Sequence, residues 1–526
     1  MKHVKYTLVL LLVPFIFNEC TSDFEELNTR PDALVASNVD VSLLGLAFAQ
    51  AQYFSMFGPP GPFQIGENLF SDIYAQYFAT TQPNFDSDRY VEVGRWINSG
   101  WNNFYASAAP QIKFTEDFAA ENGLTLENAV AKVWKVQAYH RITDYWGPTI
   151  YSEFGNGETS VAYDTQESIY KSFFTTLDEA VAVLKQNTGG NAFGSNDQLY
   201  EGDADKWLTF ANSLRLRLAM RVRYIEPALA QAEAEKAIAD GVMLSNDDNA
   251  VLVTTENSRN PFSTITDWGE FRMSALMESL LEGYEDPRID DYFNPAVDGD
   301  TDGDGSPYEG LRNGQAKVDM VPALNSQNSD LATPFLNAAR GGTNPPIRVM
   351  SSAEVYFLRA EGALVGWNMG GTAQELYEKG IEMSLSEDRI AASAAEIAAY
   401  ISSTNTPTEV GDIHDTPPSS DIPVALDAGG DMERQLEQII TQKWLALYPD
   451  GWEAWTELRR TGYPKTYPRL NSDNPDVPAD AIFRRMTFVD GEFSNNLAAV
   501  EAAQQLPELA SRGGDRNDTR VWWDAK

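Results

Sequence analysis

An all-α fold over residues 41–526, with a loop-rich subdomain set into it, is what the sequence predicts. Three observations predict it. Segment after segment carries apolar residues at three- and four-residue spacing, the period of one face of a helix. Gly and Pro fall just beyond the ends of several of these segments, where they stop helices. One stretch, about 246–347, loses the pattern and becomes rich in Asn, Asp, Gly and Pro.

The periodic segments begin with VSLLGLAFAQAQYFSM from Val41 and GENLFSDIYAQYFATT from Gly66. WINSGWNNFYASAAPQIKFTEDFA and LENAVAKVWKVQAYHRITDYWG follow, the latter closed by Gly147-Pro148. QESIYKSFFTTLDEAVAVLKQ, KWLTFANSLRLRLAMRVR and PALAQAEAEKAIADG continue the series, the last with Pro227 at its start and Gly241 past its end. In the 246–347 stretch one helix is expected, around FRMSALMESLLEGY. An excursion of that length inside a helical protein points to function rather than to a passive linker. Helices return at SAEVYFLRAEGALVGW and TAQELYEKGIEMSLS, about 352–386, where Ala373, Tyr377 and Gly380 match the small-aromatic-small pattern of a tetratricopeptide second helix. MERQLEQIITQKWLALY and GWEAWTELRRTGYP complete the series, and the tail from Pro464 is irregular and ends in RVWWDAK.

Composition narrows the function. Hydrophobic residues make up 43% of the 526, enough for a large core. A net charge of -38 excludes nucleic-acid binding, because phosphate backbones repel so acidic a chain. The local run Arg215, Arg217, Arg221 and Arg223 is therefore expected to pair with the protein's own carboxylates. Lys2, His3 and Lys5 precede an apolar run from Tyr6 to Phe17, the order of an export signal over 1–19. The single cysteine, Cys20, follows it directly and marks a bacterial lipoprotein acylated there, with 20–40 as an acidic tether. Glu19 stands where a small residue is usual, and a cleaved signal with an incidental thiol is the other reading. With no second cysteine, disulfides and thiolate metal sites are excluded.

Taken in order, ITDYWGPTIYSE, KWLTFANSLRLRLAMR, FRMSALMESLLEGYEDPRIDDYF, EVYFLRAEGAL, QKWLALYPDGWEAWTELRRTGYP and the closing VWWD resemble the SusD/RagB lipoproteins of the Bacteroidetes, in particular their second SusD-like branch. The resemblance spans the chain from tether to terminus. It implies a helical fold built on tetratricopeptide units, and a lipid-anchored lid over a SusC-like, TonB-dependent transporter that captures oligosaccharides outside the cell. Asp23, Glu25 and Glu26 are similar to the signal that sends such lipoproteins to the outer face. The same architecture also serves peptides or other nutrients.

The sharpest motif is DGDTDGDGSPYE. Asp298, Asp300, Asp302, Gly303 and Glu309 fit the calcium loop D-x-D-x-D-G-x5-E, in which alternate carboxylates wrap a hard cation. Asp304 is expected to add its carbonyl and Ser306 a hydroxyl or bridged water. Pro295 and Pro307 rule out the flanking helices of an EF-hand, so the role is structural, and a solvated Asp-Gly loop is the alternative. Catalysis has little behind it. Three histidines, one of them in the signal, cannot readily build a triad, and His140 on its apolar helix is expected to be a packing residue. A helical glycoside hydrolase with an acidic pair is the remoter alternative to a non-enzymatic receptor. Sugar binding needs aromatic faces for C–H stacking and polar side chains for hydroxyls. Loop aromatics suit this best, so the ligand candidates are Trp268 and Phe262 with Asn260, Asp267 and Arg272, then Tyr308 and Trp96.

Overall fold

A computed structural model describes residues 41–526 apart from residue 57; the expected signal, Cys20 and the tether lie outside the described residues. Among the described residues, the α-helices of eight or more residues are α1 (Val41–Ser55), α2 (Gly94–Asn103), α3 (Ala109–Glu121), α4 (Thr125–Trp146), α5 (Gln166–Gln186), α6 (Ala204–Arg221), α7 (Pro227–Asp240), α8 (Ala275–Gly283), α9 (Ser352–Leu364), α10 (Ala373–Leu385), α11 (Ala394–Ile401), α12 (Met432–Leu447), α13 (Gly451–Thr461) and α14 (Leu497–Gln504). From α3 to α7 each helix packs on the next. Short connections leave consecutive helices little choice but to bury their apolar faces against each other.

Local chemistry sets the ends. Asp203 caps α6 by accepting from the Asp205 and Lys206 amides, and Ser351 caps α9 through the Glu354 amide. Thr372 and Glu375 form a reciprocal capping box at α10. Here α9 and α10 pack as a pair, as the tetratricopeptide pattern implies. The reason for the glycine is spatial, since a Cβ on Gly380 would stand 2.8 Å from the Phe357 ring.

The interior of the helical body is charged as well as apolar. Arg217 holds Glu354 at 2.6 Å, Arg221 holds Glu453 at 2.6 Å and Glu457 at 3.0 Å, and Arg460 holds Glu361 at 2.6 Å, all with buried side chains. Arg215 and Arg223 pair with Glu233 and Glu361. The arginine run thus finds its partners within the chain, as its spacing predicted. His140 is likewise a packed helix residue, with burial holding its pKa well below the ordinary imidazole value.

Two expectations are corrected. GENLFSDIYAQYFATT is not one helix: Gln64–Asp72 forms a wide π-helical turn, and Phe78–Thr80 is a strand, β1. Nor does the helix at FRMSALMESLLEGY start at Phe271, because Phe271–Met273 is a strand that pairs antiparallel with β1. Numbered in order, β2 is Ala250–Leu252, β3 is Phe271–Met273 and β4 is Ile347–Met350, with β2 paired to β4. These ladders tie residues 246–347, which apart from α8 are mostly short turns and loops, to the helical body. Among the described residues no helix is long and apolar enough to cross a membrane.

Candidate functional site

The ligand candidates of the 260–272 segment sit on a short turn between two core anchors. Phe262 and Phe271 both pack against Phe78 of β1, with ring centroids 5.9 and 4.9 Å apart. Between them the chain makes the turns Phe262–Ile265 and Thr266–Trp268, and Gly269, at φ +66°, reverses it into β3. Ile265 and Thr266 stay buried, the chain turns outward at Asp267, and Trp268 is 44% exposed.

Asp267, the residue before this indole, belongs to a polar group. Arg340 reaches Asp267 at 3.3 Å and Asp330 at 2.8 Å, and Arg272 lies 3.8 Å from Asp330. Arg272 also donates from Nε to the Ser326 carbonyl at 3.2 Å. Gln64 donates to Glu270, binding the π-helical turn to the loop, and burial pushes the Glu270 carboxyl up against that hydrogen bond. An exposed indole can stack a pyranose, and a guanidinium with carboxylates can bind sugar hydroxyls. Arg340, Asp330 and Gln64 were missed in the sequence, where nothing links Arg340 to Asp267 across 73 residues.

The other candidates are placed differently. Phe262 and Asn260 are buried and line a cavity of about 530 Å³ behind the Trp268 loop. Asn260 spends its side chain on the backbone, accepting from the Phe262 amide at 3.1 Å and donating to the Pro345 carbonyl at 3.1 Å. Tyr308 is buried and its hydroxyl donates to Asp290. Trp96 belongs to α2 rather than to a loop; it is 7% exposed and lies 6.1 Å from both Phe70 and Phe85, a packing residue.

In the acidic loop, the carboxylates of Asp300, Asp302 and Asp304 are exposed and converge, with one oxygen of each within 4.8 Å of the others. Asp298 is not in this group, and the Asp304 side chain is. Glu309 accepts from the Thr301 amide at 2.6 Å, and the Ser306 hydroxyl donates to Glu282. Burial pushes Glu282 up to about 8, with the nearby Asp304 charge adding to it against the Ser306 hydrogen bond. Three carboxylates and a fourth behind them suit a hard divalent cation.

Comparison with known proteins follows the fold. The sequence pattern of the SusD-like family, SusD and RagB outer membrane lipoproteins, matches residues 27–524. No curated protein matches the chain. Among solved structures, a chitin-binding SusD homologue from Flavobacterium johnsoniae is 37% identical, with 92% of this chain and 98% of that one covered and a TM-score of 0.81. A SusD homologue from Bacteroides thetaiotaomicron is 32% identical, with 93% and 100% covered and a TM-score of 0.82. One from Bacteroides vulgatus is 32% identical, with 91% and 97% covered and a TM-score of 0.80. The chain therefore belongs to the SusD-like family of outer membrane lipoproteins.

Proposed function

We propose that the protein is a non-enzymatic glycan receptor, anchored through Cys20 on the outer face of the outer membrane, that hands oligosaccharide to a SusC-like TonB-dependent transporter. The observation that carries this reading is Trp268, a half-exposed indole on a turn between two buried phenylalanines, whose sequence neighbour Asp267 pairs with Arg340, itself paired with Asp330. Chitin-type oligomers head the list of ligands, because the Flavobacterium johnsoniae relative binds chitin and is 37% identical. An N-acetylated pyranose offers the indole a C–H face and the polar edge both hydroxyls and an amide.

Isothermal titration of Thr21–Lys526 against N-acetylglucosamine oligomers and starch, xylan and levan fragments tests it. Saturable binding to one glycan class without cleavage products is expected, weakened about tenfold or more in Trp268→Ala, a loss of roughly 1.4 kcal/mol or greater. No binding across the panel sinks sugar recognition by this chain alone and favours peptides; release of reducing ends revives hydrolysis. Capture of a TonB-dependent transporter on purification from the native membrane is the expected sign of the partner, and acyl labelling lost in Cys20→Ala that of the anchor.

We also propose that the Asp300–Asp302–Asp304 loop binds calcium in a structural role, with Glu309 and Ser306 in support. Asp302 lies against the backbone of Gly411, where an added Cβ would stand 1.9 Å from its Oδ2, so an ion there would pin the loop to the 410–416 turn. Calcium at 100 times its dissociation constant should stabilise the fold by about 2.7 kcal/mol. A melting temperature that EDTA leaves unchanged would refute the site; Asp302→Asn should abolish the calcium response.

A further inference from the structure

The π-helical turn Gln64–Asp72 carries buried carboxylates and, with its first residue, grips the Trp268 loop. We infer that it is a pH-sensitive arm: a proton shared among Glu67, Asp72 and Asp450 keeps it seated on α4 and α13, and losing that proton slackens the Trp268 loop and weakens ligand binding there. The binding part rests on the glycan reading above.

Glu67, Asp72 and Asp450 are all buried, and one guanidinium serves them. Arg141 of α4 donates to Glu67 at 2.9 Å and to Asp450 at 3.2 Å. Asp72 accepts from Asn68 Nδ2 at 3.2 Å, while its Oδ1 has no hydrogen-bond partner. That oxygen lies hard against α13, where a Cβ on Gly451 would stand 2.2 Å from it. Three buried carboxylates around one guanidinium leave like charges unmatched, which favours a proton among them. Burial above all, joined by Asp450 and opposed by Arg141, pushes Glu67 up to about 7. Burial with Glu67 alongside pushes Asp72 well above the usual carboxylate range. Glu67 and Asp450 both line the cavity of about 530 Å³, which gives the proton a path to solvent.

The other charges near the turn are engaged elsewhere. Arg217 holds Glu354, and Glu453 and Glu457 of α13 hold Arg221. Arg459 donates to the Asp144 carbonyl and Arg460 to Glu361. Arg95 of α2 lies over the Trp96 ring. In the turn Asp86–Arg89, Arg89 takes Asp86 and Asp473, and Asp88 accepts from Asn313. Across the cavity Glu387 is held by Arg348 and Arg389, while Lys206, Asp247 and Asp388 face solvent. The phenols of Tyr77, Tyr145 and Tyr448 donate to backbone carbonyls.

The same turn braces the loop. Gln64 donates to Glu270, two residues past Trp268, and Phe63, next to the turn, meets Phe262 with centroids 5.0 Å apart. The other hold is Thr81, beside β1, whose Oγ1 donates to the Gly269 carbonyl at 2.7 Å. A carboxyl raised in the seated state favours that state fully below about 4.5, and the advantage is lost as pH climbs through about 7. Glu270 accepts more strongly as a carboxylate, so its own ionisation tightens the brace as pH rises. Loosening with rising pH is therefore the mark of the buried cluster.

Amide exchange of residues 21–526 without ligand, corrected for intrinsic rates, tests this at about pH 6 and about pH 8. Protection of Gln64–Asp72 and of residues 262–270 should fall about tenfold at the higher pH, with α9 and α10 changing less than about twofold. Glu67→Gln should remove the fall in both segments, and Asp72→Asn takes its place if that variant does not fold. Gln64→Ala should leave the fall in the turn and abolish it in the loop. Triacetylchitotriose titrated into wild type should bind about threefold or more weakly at the higher pH. Protection that ignores pH, a fall that Glu67→Gln leaves intact, or a loop that stays protected while the turn loosens overturns the arm. Sugar binding indifferent to pH overturns it as well. No binding of this sugar at either pH, with the exchange pattern as expected, sinks the chitin-type ligand and leaves the arm standing.

Discussion

The helical body and the exposed loops within 246–347, at 267–268 and 300–304, treat polar side chains in opposite ways. In the body, charges are buried and matched: Arg221 is 0% exposed and meets Glu453 and Glu457, with Asp144 3.5 Å away. In the 246–347 region one such pair recurs, Arg288 with Asp286 at 2.6 Å, but Trp268 and the Asp300–Asp304 carboxylates face water. The lesson is that charge pairing inside the body serves the geometry of the helices, while recognition is left to side chains the fold holds outward. A buried ion pair adds little beyond what an apolar pair would, yet losing one partner is severe.

The largest effect should come from breaking that pairing. Arg221→Met leaves Glu453 and Glu457 short of a buried cation, and a loss of about 3–5 kcal/mol in chemical denaturation is expected. A loss below about 1 kcal/mol would mean the network is slack. Next comes pH. Burial, opposed by Arg141 and reinforced by Asp450, raises Glu67 from 4.5 to about 7, with the buried Asp72 also close by. A carboxyl raised in the folded state contributes stability that is full below about 4.5 and is lost as pH climbs through about 7. Between pH 5 and 8, Glu67→Gln should therefore lose less stability than wild type, by roughly 1–3 kcal/mol. An equal loss of stability in wild type and variant between the two pH values, read from urea melts at each, would refute the assignment.

Much of the body was legible in the sequence because its cues are local. The period of LENAVAKVWKVQAYHRITDYWG and its Gly-Pro stop anticipate α4, which ends at Trp146, and the alternating leucines and arginines of α6 imply paired charges. The strands were not legible. Phe271–Met273 is three residues long and owes its form to Phe78–Thr80, far away in the chain, so its apolar residues looked like the first turn of α8. Trp268 could be singled out as a loop aromatic, but not the Arg340–Asp330 edge, which only the folded chain assembles. Trp96 shows the opposite failure: it was singled out as a ligand candidate at the head of a helical segment, yet α2 turns its indole inward.

Smaller effects sharpen the contrast. Gly380→Ala places a methyl 2.8 Å from the Phe357 ring inside the α9–α10 contact, and overpacking of that kind costs about 1–3 kcal/mol. Helix propensity works the other way, since Ala is favoured over Gly by about 1 kcal/mol in a helix interior, so the net loss should lie near the low end of that range. Any gain in melting temperature would show that Phe357 yields freely. At the far end stands Trp268→Ala, measured for stability rather than binding. Its indole packs on solvent for nearly half its surface, and removing an exposed side chain shifts stability by no more than about 0.5 kcal/mol. A drop well beyond that would make Trp268 a packing residue of its turn, and the division between a body that holds and a loop that recognises would fail at the residue on which it most depends.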